Sequence, residues 1–130
     1  MSFSATSHPT PPPCRRIASN WLWTGSGFAR RPLIALDATG RLAALDTCAE
    51  PDREPLTEFY AGVVVGGFPA DWRTAFARLM QERRRPLAEL LAEMEIPSPG
   101  QGPEEGIWVV LSGLEYDPPR LSTQAAIRLL

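Results

Sequence analysis

The sequence predicts a mainly β fold: a small antiparallel β-sandwich built from both chain ends with a short helical insert, α+β by strict count. Three observations predict it. Apolar residues alternate in short, turn-bounded runs before residue 70 and after residue 106. Between about 70 and 95 they change to helical spacing. And 130 residues can bury one core but not two.

Residues 1–14 are rich in Ser, Thr and Pro and contain Pro11-Pro12-Pro13. Such text buries too little surface to offset its ordering entropy, so a disordered or extended arm is expected there. Residues 15–130 then make a single sandwich domain. Arg16 to Thr24 alternates as a strand with Ile17, Trp21 and Trp23 on one face. Gly25-Ser26-Gly27 is a turn. Pro32 to Leu36 and Arg41 to Leu45 are strands joined through Asp37-Ala38-Thr39-Gly40. There Asp opens the turn through its side chain and Gly accepts the closing positive φ. Cys48 to Pro55 is polar and holds two prolines, so it reads as a loop. Phe59 to Val65 is a fourth strand, and Val63-Val64-Val65 predicts burial on both of its faces.

The helical insert begins after Pro69. Trp72, Phe76, Leu79 and Met80 share one helix face, and Leu87, Leu90, Leu91 and Met94 another. Pro86 is acceptable in a first turn and breaks the two segments. Prolines and glycines between Ile96 and Glu105 mark a linker. Ile107 to Leu111 and Ser122 to Leu129 are the last strands.

Composition excludes several function classes. The net charge of -2 gives no electrostatic reason to bind nucleic acid or an anionic membrane. All basic residues are arginine, and the only run of three, Arg83-Arg84-Arg85, is expected to be a solvated helix end. No uninterrupted apolar stretch approaches the roughly 20 residues of a membrane span, and no charged start and apolar run suggests a leader. A cytoplasmic protein with Cys14 and Cys48 as reduced thiols is expected.

Chemistry is hard to place. The single histidine, His8, lies in the arm, so a histidine-based metal site or a Ser-His-Asp triad is not expected. Gly25-Ser26-Gly27-Phe28-Ala29-Arg30 begins like a phosphate cradle but lacks its last glycine and the helix that should follow. Glu104-Glu105 falls in a loop. Glu89 and Glu93 are an i, i+4 pair expected to be mildly repulsive and solvated. The aromatics read as core or interface. The candidate ligand or interface residues are Trp72, Tyr60 and Trp108, with Arg30, Arg31 or Arg41 around a pocket between sheet and helices. Trp72 is expected to seal the first helix against the sheet.

Taken together, Ile17 to Gly25, Pro32 to Asp37, Arg41 to Leu45, Phe59 to Phe68, Pro86 to Leu91, Gly106 to Leu114 and Leu121 to Leu130 resemble the metal-dependent hydrolases of the amidohydrolase superfamily. Chlorohydrolase-like and cytosine- or aminofutalosine-type deaminases are the most similar in kind. The resemblance implies a small composite β-sandwich formed by both chain ends. In that family a barrel follows the strand that here ends in Gly66-Gly67-Phe68. A barrel occupies roughly 250 residues, so it is missing from this chain. Where the family places His-x-His, this chain has Trp72 and Thr74, so no metal or catalytic residue carries over. The expectation is a barrel-less, non-catalytic relative without a cofactor. It would act as an interaction or assembly domain, with a homodimer or another protein as partner. The alternatives are a small-ligand binding domain, or the sandwich subunit of a metal-dependent hydrolase completed by another chain.

Overall fold

The computed structural model describes residues 15–37, 41–47, 57–96 and 107–130. The arm with His8 and Cys14, the turn interior Ala38-Thr39-Gly40, the Cys48 loop and the linker with Glu104-Glu105 lie outside the described residues. The mainly β fold with a helical insert is what the chain forms. Seven strands share one mixed sheet: β1 (Arg15–Trp23), β2 (Phe28–Arg30), β3 (Pro32–Leu36), β4 (Leu42–Thr47), β5 (Thr57–Phe68), β6 (Ile107–Glu115) and β7 (Arg120–Leu129). Helices α1 (Trp72–Gln81) and α2 (Leu87–Glu93) intervene between β5 and β6.

The sheet order is β4-β3-β1-β5-β6-β7, with β2 pairing the second half of β1. Strands from both chain ends thus meet across β5. All pairings are antiparallel except β1 with β5, which is parallel. The short strand β2 has no counterpart among the strands expected from sequence. It continues β3 in one register against β1, interrupted only at Arg31, whose φ is 50°. Thr24 closes the β1–β2 turn by donating its amide and its hydroxyl to the Gly27 carbonyl at 2.8 and 3.0 Å. Gly25-Ser26-Gly27 is therefore a hairpin turn. Across β3 and β4 the Arg41 amide donates to Asp37 Oδ1 at 3.0 Å, the side-chain bond expected of that turn.

Both faces of the sheet carry apolar clusters. On one face Trp23, Val63, Val65, Phe68, Val109 and Leu111 pack against Ala75 and Leu79 of α1 and Leu87, Leu90 and Leu91 of α2. The helical pair therefore caps this face. Trp72, Phe76 and Met80 are half-buried against the same cluster. On the other face Ile17, Leu22, Ile34, Leu36, Val64 and Val110 form the second cluster. Val63, Val64 and Val65 are each fully buried, so β5 is covered on both faces.

The sheet is creased along one line. Arg31, Asn20, Gly62 and Gly113 stand at or beside neighbouring positions on successive strands, and three of them have positive φ: Arg31 50°, Gly62 132°, Gly113 69°. Side-chain alternation breaks there. Ile17, expected beside Trp21 and Trp23, instead lies in the opposite cluster. The register of β1 on β5 shifts from Ser19↔Tyr60 to Trp21↔Val63, so β5 runs one residue more than β1 through the crease. Such a bulge sends the two halves of β1 to different faces. β6 shows its last pairing to β5 at Leu111, and the β6–β7 turn then reaches the helices: the Pro119 carbonyl accepts the Leu87 amide at 2.8 Å. That bond satisfies an amide that the short α2 cannot pair within itself.

Candidate functional site

The β6–β7 turn is where sheet and insert meet, and it carries the two surface features with recognition chemistry. The first is an aromatic array. Trp21 on β1 stacks on Tyr116 with ring centroids 6.1 Å apart and an interplanar angle of 18°. Phe28 of β2 meets Trp21 edge-on at 5.8 Å and Trp23 at 5.3 Å. The Arg30 guanidinium lies 5.2 Å from the Trp21 ring centre. Trp23 is buried and its indole N–H donates to the Ile96 carbonyl at 3.3 Å, so that end of the array is core. Tyr116 is the solvent end, at 46% exposure. Its partial burial still pushes the phenol pKa up.

The second feature is an arginine-walled cleft of about 400 Å³ on the other flank of the turn. Arg83 and Arg84, in the connection between α1 and α2, face Arg120, Leu121 and Ser122 at the start of β7, with Glu115 at its rim. The Arg120 Nε–H is buried and has no hydrogen-bond partner among the described residues. Glu115 comes only within 3.9 Å of Arg120, an ion pair but not a hydrogen bond. Arg83 donates weakly to the Met80 carbonyl at 3.4 Å. The Ser122 hydroxyl is committed, donating to Gly113 O at 2.6 Å.

The basic run therefore divides its work, against the expectation of one solvated helix end. Arg83 and Arg84 line the cleft, whereas Arg85 donates to Glu82 at 2.9 Å, to Glu89 at 3.3 Å and to Glu93. Glu89 and Glu93 are exposed, as expected, but their repulsion is offset because one guanidinium bridges both. Its hydrogen bonds raise the Arg85 pKa, and the bond from Arg85 lowers that of Glu93.

The residues singled out from sequence do not converge on one pocket. Trp72 packs on the helix-covered face, with the Arg73 guanidinium 4.6 Å from its ring centre. Tyr60 and Trp108 pack on the opposite face. Trp108 lies flat against Gly66, where an added Cβ would come within 2.8 Å of the indole. Tyr60 belongs to an ion-pair cluster: Arg15 donates to both Glu58 oxygens at 2.9 and 2.7 Å, and the Tyr60 hydroxyl donates to Glu58 Oε1 at 2.6 Å. Arg128 sits 5.3 Å from the Tyr60 ring centre. These bonds, first from Arg15 and then from Tyr60, hold the Glu58 carboxyl down to about 2. Donating to Glu58 raises the Tyr60 pKa. Arg30 stands at the aromatic array, and Arg31 at the crease.

Among the described residues no three His, Cys, Asp or Glu side chains converge as metal ligands, and no helix is long and apolar enough to cross a membrane. Sequence reasoning missed Tyr116 and Arg120. Both adjoin Asp117-Pro118-Pro119, a turn signal whose partners are distant in sequence. No protein-family model, curated protein or solved structure matches the chain.

Proposed function

We propose that this chain is a non-catalytic cytoplasmic assembly domain that self-associates through the Trp21–Tyr116–Arg30 array. The observation that carries the reading is a Trp, a Tyr and an Arg stacked together with Tyr116 left about half exposed. These three residue types are enriched at protein–protein hot spots, where Trp and Tyr bury large rigid area and Arg presents a planar fork of donors. A second copy is the simplest partner, since an isologous contact uses one patch twice.

The same reading takes the chain as a barrel-less relative of the amidohydrolase sandwich. In its favour, strands from both chain ends share one sheet. Helices α1 and α2 cover the face beside which β5 ends, where that family's chain would enter its barrel. Sedimentation equilibrium over a wide concentration range tests the assembly. The wild-type chain is expected to dimerise, and Tyr116→Ala to shift it toward monomer without loss of fold. A wild-type chain that stays monomeric at the highest concentrations rules the reading out.

A further inference from the structure

We propose that the cleft between the α1–α2 connection and the start of β7 binds the phosphate group of a small phosphomonoester, with Arg120, Arg84 and Arg83 as its ligands. The first argument is an unused donor. Arg120 Nε–H is buried without a partner among the described residues, and buried polar groups are nearly always paired because leaving one unpaired is costly. Its guanidinium makes no other hydrogen bond within the described residues; Glu115 at 3.9 Å is too far. The Arg120 side chain as a whole is 41% exposed and lines the cleft, and a planar fork of donors suits phosphate oxygens.

Charge gives the second argument. Three guanidiniums against the one Glu115 carboxylate leave two net positive charges lining the cleft, on a chain whose overall charge is -2. A phosphomonoester carries roughly -1.5 to -2 at neutral pH and matches that surplus. The neighbouring Arg85 shows the contrast. Its guanidinium is taken up by Glu82, Glu89 and Glu93, whereas Arg84, two residues from Glu82, stays exposed with no such partner among the described residues.

Size and lining supply the third. The cleft of about 400 Å³ falls within the range of small-molecule sites, roughly 300–1,000 Å³. Because Arg83 and Arg84 come from the insert and Arg120 from the sheet, a bound phosphate would also tie the two together.

Isothermal titration calorimetry at low ionic strength tests this with inorganic phosphate, glycerol 3-phosphate, acetate and a phosphoserine peptide. Saturable one-to-one binding of glycerol 3-phosphate is expected, with acetate far weaker. Arg120→Ala should weaken it about tenfold or more, the loss of a charge-assisted contact. Arg84→Ala, on an exposed side chain that the fold does not need, should weaken it severalfold. Arg78→Ala, which removes the same charge from the exposed side of α1 outside the cleft, should leave it unchanged. Inorganic phosphate binding as tightly as glycerol 3-phosphate identifies free phosphate as the ligand and keeps the site. The proposal is overturned by any of three results: no saturable binding, equal losses in all three variants, or acetate binding as well as phosphate. Much tighter binding of the phosphoserine peptide overturns the small-molecule assignment.

Discussion

The Asn20 side-chain oxygen accepts the Gly62 amide at 2.8 Å, across 42 residues of sequence. This bond pins the crease at which β1 and β5 change register. Asn20→Ala leaves a half-buried amide unpaired and should cost about 1–2 kcal/mol. Asn20→Asp keeps the acceptor and should recover most of that. Gly62→Ala is more severe. Its φ of 132° is strained for any L side chain, and the new Cβ would stand 2.1 Å from the Leu111 carbonyl oxygen. A loss of about 3 kcal/mol is expected from backbone strain and overpacking together. Urea midpoints at constant slope measure all three.

Glu58 gives a pH dependence with a defined sign. Its folded carboxyl sits at about 2, below the ordinary 4.5. The stability it contributes is therefore complete above about 4.5 and is lost as pH falls from there toward 2. Arg15 and Glu58 are about 34% and 41% exposed, so solvent screening holds the effect to about 1 kcal/mol or less. In Glu58→Gln this part of the acid-side loss should vanish. Thermal melts of both proteins from pH 5 to pH 2 decide it, and superimposable profiles would show that the cluster contributes nothing.

Helix docking separates buried from exposed apolar residues. Leu91 of α2 is fully buried against β5 and β6, so Leu91→Ala should cost about 2–5 kcal/mol. Phe59 is the larger side chain but is 51% exposed. Phe59→Ser should change stability by no more than about 0.5 kcal/mol. Chemical denaturation of the two variants side by side checks the ranking.

Glu95 ends the insert with a φ of 58°, just after α2. A glycine adopts that left-handed position without strain, so Glu95→Gly should stabilise the chain by up to about 1 kcal/mol despite a more flexible unfolded state. A lower melting temperature would show that Glu95 makes a contribution beyond its backbone conformation.

Local chemistry made much of the fold legible. The valine triplet of β5 foretold its burial, Asp37 the side-chain bond across the β3–β4 turn, and the leucines of α1 and α2 the face they bury. Each depends on neighbours a few residues away. The surface features were less legible. Arg83 and Arg84 read like Arg85 in the sequence, and what separates them is Arg120, brought over by the β6–β7 hairpin. Tyr116 becomes part of an array only because Trp21 lies beneath it.

Apart from the short β2, the sequence by itself determined the element types, the order of strands around a helical insert, and a set of apolar residues large enough for one domain. Only the tertiary structure decided which face each residue takes and which arginine is left with an unused donor. The physical reason is the crease. Alternation along β1 predicts one face for Ile17 and Trp23, but the bond from Gly62 to Asn20 and the bulge beside it turn the strand over. A period of two carries no record of a bulge that a distant strand imposes.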